Sequence, residues 1–185
     1  MTFAKSIVYT ATYASGVLGD IALASDGARL TGLYLAGQKY YFDRMAGPFE
    51  DGAGIAVLEQ ARAWLDRYFA GMRPDPAELP LAPAGSDFRR RVWDILLSIP
   101  YGATRTYGSI AHQLEVETGR RASAQAVGGA VGHNPISIVI PCHRVVGSDG
   151  SLTGYAGGVR SKLWLLGHEG ADMTDLYVPV RGTAL

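Results

Sequence analysis

The 185-residue sequence predicts a mixed α/β fold of the α+β kind. A small sheet backed by one helix comes first, then a linker, then a mostly helical unit. Three observations predict it. Residues 7–35 fall into short β-rich runs, with apolar and polar side chains alternating and small turn residues between them. Met72–Gly85 holds four prolines and little periodic pattern. After Ser86, apolar residues recur at helical spacing in successive blocks.

The first strand runs from Ile7 through Tyr13 and turns at Ser15-Gly16. Val17–Ala24 is the second, Ser25-Asp26-Gly27 the next turn and Leu30–Leu35 the third, an antiparallel meander. Gly47-Pro48 breaks the pattern. A helix over about 55–69 follows, because Ile55, Leu58, Trp64, Leu65, Tyr68 and Phe69 share a face and Gly71 is placed to end it. Trp64 and Tyr68 read as core there, not as a binding platform. In the second unit, Ser86-Asp87 offers an N-cap for a helix over about 88–98, with Phe88, Val92, Ile95, Leu96 and Ile99 inward. Pro100-Tyr101-Gly102 turns the chain. Helices over about 108–117, with Ile110, Ala111 and Leu114 inward, and 123–132 are parted by Thr118-Gly119 and form a helix-turn-helix. The units expected are therefore 1–78 and 86–172, with a linker at 79–85 and a tail at 173–185.

The second helix of that pair is nearly bare. Ala122, Ala124, Ala126, Gly128, Gly129 and Ala130 supply little bulk, and each interior glycine costs about 1 kcal/mol relative to alanine. Such a helix packs tightly against the Cys142 segment, enters a narrow groove, or does both by different faces.

Apolar residues are 48% of the chain, enough for a core, and the formal net charge is zero, so no global field directs it to nucleic acid. The charges are split unevenly. Residues 1–85 hold seven Lys/Arg against nine Asp/Glu, residues 86–170 nine against six. A single cysteine excludes an internal disulfide and a cysteine-based zinc cluster. No metal or cofactor is expected. The N-terminus lacks a signal-peptide layout and no apolar run approaches bilayer-spanning length. The expectation is a soluble, cytoplasmic monomer without a membrane partner.

That cysteine, Cys142, stands in Ile138-Val139-Ile140-Pro141-Cys142-His143-Arg144-Val145-Val146. Three β-branched residues lead into Pro141, which predicts a buried strand delivering the thiol to a fixed point. His143 follows at once. A thiol reacts as thiolate, and a neighbouring imidazole is a common way to make one. A lone cysteine beside a histidine is often only structural. The turn-fixing proline, the adjacent His143 and Arg144 and the polar stretch downstream point instead to a nucleophile. Asn134-Pro135 precedes the run, and asparagine commonly bonds nearby backbone at such turns. Gly147-Ser148-Asp149-Gly150 reads as a hairpin-type turn. Thr153-Gly154-Tyr155-Ala156-Gly157-Gly158 is a glycine-rich loop without the Lys-Ser/Thr of a phosphate loop, and suits a mobile wall over a flat ligand. An apolar helix over about 162–168 ends at Glu169. From the residues alone Glu169 is a surface acid, although a carboxylate can also orient His143.

The run from Asn134 to Val146 closely resembles the active-site signature of the O6-alkylguanine-DNA alkyltransferases, also called methylated-DNA–protein-cysteine methyltransferases. Gly154–Gly158, Trp164–Gly170 and Tyr107 match the same family, the first two at ungapped spacing. The likeness is strong over 86–170 and holds only in outline before that. It implies an N-terminal ribonuclease-H-like sheet-and-helix lobe without nuclease activity. It also implies minor-groove binding of alkylated double-stranded DNA through the helix-turn-helix. The flipped O6-alkylguanine, and O4-alkylthymine, would give its alkyl group to Cys142, once per molecule. His143 would be the base, acting through a water, and Glu169 its orienter. Tyr107 would push on the target's phosphate and donate to the guanine ring. Carbonyls of Cys142 and Val145 would read the guanine amine, and Asn134 would hold helix and active-site turn together. On the same grounds Gln125, Ala126, Gly128, Val131, Ser137, Arg144, Tyr155, Ala156 and Gly157 are assigned to the DNA and the flipped base.

Three departures from the family matter. The N-terminal unit has no cysteine for the small zinc site of some members. Ser137 stands where some carry a proline in the pocket wall, and Gln125 stands where an intercalating arginine is typical. Alkyltransferase-like lesion sensors carry another residue, often Trp, at the cysteine position, and Cys142 argues against that class. A helix-turn-helix regulator would need an effector or dimerisation domain, and a cysteine hydrolase an oxyanion arrangement; neither is found. Sulfur is a soft nucleophile and its alkylated product a thioether without an easy leaving group, so the chemistry by itself predicts one turnover.

Overall fold

A computed structural model describes residues 7–42 and 47–179. Its first sheet holds β1 (Val8–Ala14), β2 (Asp20–Ser25), β3 (Leu30–Tyr34) and β4 (Phe49–Asp51), in the order β3-β2-β1-β4. The β1-β2-β3 meander is antiparallel, with Tyr9 opposite Ser25 and Leu23 opposite Leu33. β2 begins at Asp20 and not at Val17, because Ser15 closes a turn onto Gly19 and its hydroxyl accepts from Leu18 N. β4 runs parallel to β1 and was not expected. It has three residues, all exposed, directly behind Gly47-Pro48, so no alternation marks it.

Helix α1 (Ala56–Phe69) covers one face of the sheet with Val57, Leu58, Ala61, Trp64, Leu65 and Tyr68. Each large side chain so buried contributes roughly 1.5–3 kcal/mol. Gly71, at φ +75°, takes the left-handed position just beyond the helix end. The segment expected as a linker is not a free spacer. Asp75 caps a 3-10 turn at Pro76–Glu78, and Trp64 Nε1 donates to Asp75 O at 2.9 Å. Leu30 N donates to Pro80 O and Ala82 N to Leu30 O, so this stretch lies along β3.

In the second half, Ser86 caps α2 (Asp87–Leu97), and Val92, Trp93, Ile95 and Leu96 form its buried side. Phe88, expected inward, is 37% exposed. Trp93 fills that role, and its Nε1 donates to Ala130 O at 2.9 Å. Thr106 caps α3 (Tyr107–Thr118), which buries Ile110, Ala111 and Leu114 and ends on Gly119 at φ +66°. Ser123 caps α4 (Ala124–Gly132). These two helices form the expected helix-turn-helix. The final helix, α5 (Val159–His168), starts three residues earlier than its apolar run.

Residues 136–140 do not form the expected strand. They make a compact buried turn in which Ile138 sits at φ +69°, a conformation that costs a β-branched residue about 1–3 kcal/mol. Other contacts enforce it. Leu33 N donates to Pro135 O, Ser137 N to Leu33 O and Ile140 N to Ile136 O. β5 (Arg105–Thr106) and β6 (Val145–Val146) then pair in parallel just beyond the thiol. One apolar core joins both halves, from Leu33 and Trp64 through Trp93 and Val127 to Cys142 and Leu165. Among the described residues, no helix is long and apolar enough to cross a membrane.

Candidate active site

Cys142 opens a 3-10 turn, Cys142–Arg144, immediately after Pro141. The missing N–H of proline costs nothing at the start of such a turn. The thiol is 4% exposed. Asn134 Nδ2 donates to its Sγ at 3.0 Å and to Ile140 O at 2.8 Å, while Asn134 Oδ1 accepts from Ile136 N at 3.0 Å. One side chain thereby closes the turn and touches the sulfur.

His143 is fully buried. Its Nε2 lies 2.8 Å from Glu169 Oε1, and its Nδ1 has no partner among the described residues. With Glu169 ionised, Nε2 carries the hydrogen and Nδ1 is the free base nitrogen. Glu169 is no surface acid. It is 3% exposed at the end of α5 and collects five hydrogen bonds. Besides His143, these come from Arg144 Nε (2.7 Å) and Nη2 (2.9 Å), Tyr68 Oη (2.8 Å) and Gly102 N (3.1 Å). Burial alone would raise its carboxyl, but His143 and Arg144 hold it well below the usual carboxylate range.

The electrostatics differ from a simple thiolate–imidazolium pair. Burial pushes the Cys142 thiol up from its ordinary 9.0, against the pull of Asn134, Ser137 and Lys162. Burial also holds His143 below 6.5, outweighing the attraction of Glu169. Both shifts run against a thiolate–imidazolium pair. They favour the uncharged forms, a neutral thiol beside a neutral imidazole.

Lys162, missed in the sequence, is fully buried and donates to Val145 O at 2.6 Å and Thr153 O at 3.2 Å. Burial brings its ammonium down from 10.5 to about 8. Its one signal was position: Lys162, Leu165 and Leu166 share the buried face of α5. Tyr107 Oη donates to Thr153 O at 3.1 Å, and burial together with Cys142 pushes its hydroxyl up to about 12. A Cβ at Gly154, where φ is +83°, would lie 2.8 Å from that hydroxyl, so glycine is required there.

The other predicted residues divide. Gln125 and Ala126 are exposed on α4. A Cβ added at Gly129 or Gly132 would meet nothing within 4 Å among the described residues, and at Gly128 only the Tyr107 ring at 3.9 Å. The helix therefore does both: Ala130 packs into the core, and the face carrying Gly129 and Gly132 stands open. Val131 points into the core, not to the solvent side. Arg144, expected at the DNA, is also turned inward. It spans Glu169 and Ile99 O and lies against the Tyr101 ring. Val145 is buried, with its carbonyl on Lys162; a carbonyl has a second lone pair, so it keeps one for a ligand. Ser137 is buried and donates to Gln38 Oε1 at 2.9 Å. Tyr155 is buried, its hydroxyl without a hydrogen-bond partner among the described residues, while Ala156 and Gly157 lie at intermediate depth. A cleft of about 140 Å³ runs between Gly128, Gly132, Tyr155 and Ala156 on one side and Lys39 and Tyr40 on the other. The glycine-rich loop is tied to the first half there, because Lys39 N donates to Ala156 O.

Two family descriptions match the chain. Residues 8–83 fit the ribonuclease-like domain of 6-O-methylguanine DNA methyltransferase and residues 87–171 its DNA-binding domain. The chain belongs to the 6-O-methylguanine DNA methyltransferase family. A methylated-DNA–protein-cysteine methyltransferase of Mycobacterium tuberculosis is 44% identical over 149 residues, covering 80% of this chain and 85% of that protein. One of Shigella flexneri is 54% identical over 106 residues, 57% of this chain and 60% of that protein. The crystal structure of the M. tuberculosis O6-methylguanine methyltransferase matches with a TM-score of 0.72 at 43% identity over 88% of this chain and 92% of that one. A structure of the M. tuberculosis protein in complex with DNA gives 0.70 at 41% identity over the same shares. Within this methyltransferase family fold, the ribonuclease-like half supplies Tyr68 and Gln38 to the neighbourhood of the thiol. Nothing in the local sequence of either residue announced that.

Proposed function

We propose that this protein repairs O6-alkylguanine, and O4-alkylthymine, in double-stranded DNA by moving the alkyl group irreversibly to Cys142. The observation that carries the assignment of roles is the chain Cys142, His143, Glu169. A buried thiol is followed by an imidazole held through Nε2, with Nδ1 left free for a proton. The open face of α4, with exposed Gln125 and Ala126, enters the minor groove. The target base turns out of the stack into the cleft beside Tyr155 and Ala156. There the S–C bond forms as the C–O6 bond breaks. The thiol proton passes through a water to His143 Nδ1, and Tyr107 donates one to the departing guanine. The imidazolium then returns its proton through solvent to the Tyr107 oxygen, so the net change is one hydrogen moved from sulfur to guanine. Lys162 supports the developing thiolate and fixes the Val145 carbonyl, which with that of Cys142 reads the guanine amine.

Units 1–78 and 86–172, joined through 79–85, act as one body, since Leu33 and Tyr68 of the first bond residues of the second. Every group named comes from one chain, so a monomer suffices. A free thiol of this kind suits a reducing cytoplasm. The test uses a duplex carrying labelled O6-methylguanine. Label should become covalent with the protein at no more than one per molecule, on the Cys142 peptide. Cys142→Ser should bind the duplex and take up none. Turnover well beyond one equivalent would refute the proposal.

A further inference from the structure

We infer that Tyr68, on helix α1 of the ribonuclease-like half, is a positioning residue for alkyl transfer that acts through Glu169. This rests on Cys142 being the acceptor and His143 its base. Tyr68 Oη donates at 2.8 Å to Glu169 Oε1, the same oxygen that His143 Nε2 approaches at 2.8 Å. The two residues are 101 positions apart and both buried. Burial and the Glu169 charge raise the Tyr68 hydroxyl well above 10.0, so it remains a donor at any working pH.

The ring is fixed as firmly as the hydroxyl. It stacks on Trp64 with centroids 5.5 Å apart and meets Phe69, Tyr101 and His168 at its edges. The Tyr68 carbonyl also lies 2.8 Å from His168 Nε2, so α1 and the end of α5 are joined twice. The Glu169 carboxylate is faced by His143 and Arg144 from the active-site turn, by the Gly102 N–H and by Tyr68. Tyr101 and His168 surround Tyr68, Arg73 lies over the Tyr101 ring, and Lys162 adds a positive charge that disfavours protonated His143. Of the groups bonded to the Glu169 carboxylate among the described residues, only Tyr68 comes from the ribonuclease-like half.

Its chemical effect has a definite sign. A donor on Oε1 takes up part of the negative charge that would otherwise attract the His143 proton. Without it, Glu169 becomes a stronger acceptor, the imidazolium is favoured and the free base is lost at a higher pH. Oε1 is also held less firmly, so the imidazole is less well aimed.

The experiment measures single-turnover transfer from labelled duplex across pH in wild type, Tyr68→Phe, Glu169→Gln and the double variant. Tyr68→Phe should lower the plateau rate by about tenfold, the worth of one hydrogen bond to a charged group. It should also move the acid limb to higher pH. In the Glu169→Gln background the same change should do almost nothing, because its effect is routed through the carboxylate. Thermal unfolding and duplex affinity, the latter measured with Cys142→Ser in both backgrounds, establish that Tyr68→Phe is folded. An unmoved acid limb, or an equal loss of rate in both backgrounds, would overturn the inference and leave Tyr68 as packing alone. Failure of the wild type itself to take up label at Cys142 would overturn the proposed function instead.

Discussion

Asn134 donates to Cys142 Sγ at 3.0 Å while it also spans the active-site turn, from Ile136 N to Ile140 O. The asparagine that closes the turn is therefore the one that stabilises charge on sulfur. Asn134→Ala should lose both functions. Leaving Ile136 N unpaired in the core costs about 1–3 kcal/mol, and Ile140 O keeps only its bond from Cys142 N, visible as a drop in melting temperature. Asn134→Asp separates the two. It keeps the acceptor for Ile136 N but sets a carboxylate beside the thiol. Its Cys142 should react with a small thiol reagent at least tenfold more slowly at neutral pH. Equal reactivity would mean that the Asn134–Cys142 contact has no electrostatic role.

Glu169→Gln tests the base. His143 lies below 6.5, so it is neutral through the neutral range and transfer should fall only in acid. Glu169 is the group that raises His143, so its loss should move the acid limb lower still while the plateau falls by about tenfold or more. Stability follows the same signs. His143 and Glu169 both titrate below their unfolded values of 6.5 and 4.5. Their contribution is complete above those values and is lost as pH falls through the folded ones. Calorimetry from pH 8 down to 3 should show melting temperature falling first below 6.5 and more steeply below 4.5. A rate profile identical in wild type and Glu169→Gln would remove Glu169 from the mechanism.

Lys162→Met should slow transfer severalfold and raise the thiol further, because a positive charge is removed from beside Cys142. It should also change stability in alkali. Folded Lys162 titrates at about 8 against 10.5 unfolded, so the cost of burying its charge is present below pH 8 and relieved between those values. Wild-type unfolding free energy should therefore rise over that window relative to Lys162→Met. Parallel curves would show that folded Lys162 stays ionised across that window, titrating like the unfolded residue.

Gln125→Arg addresses the exposed start of α4. A flipped base leaves a gap in the stack, which a planar guanidinium fills better than the shorter, neutral glutamine. The substitution should tighten binding to alkylated duplex and speed transfer from it, with a steeper salt dependence. A single-stranded substrate should change much less. Equal acceleration of both substrates would refute the idea and turn attention to Arg121, which is 97% exposed nearby.

Legibility followed distance along the chain. The helix-turn-helix could be read because Thr106, Gly119 and Ser123 are local caps and Ile110, Ala111 and Leu114 share one turn-spaced face. Cys142 and His143 are adjacent, so their partnership was visible. Glu169 came only through the family resemblance; by local pattern it is an ordinary helix-end acid. Arg144 was assigned to the DNA by the family resemblance alone, whereas the 3-10 turn rotates it inward onto Glu169. The strand expected before Cys142 failed for a related reason. β-branched residues favour extended backbone, but Leu33 and Asn134 supply hydrogen bonds that hold a tight turn with Ile138 at positive φ. Tyr68 had no local signal at all.

The grip of β3 on the active-site turn, Leu33 to Pro135 and Ser137, has a consequence for biosynthesis. A ribosome making this chain releases β3 about a hundred residues, and the end of the ribonuclease-like half about fifty, before the segment that must dock on that edge. Contacts of such long separation form late and slowly. Until the last helix emerges and Glu169 reaches its five donors, the nascent chain carries a cysteine without a positioned base. The thiol that is consumed by a single reaction is thus armed only at the end of folding, when the whole reading head is in place.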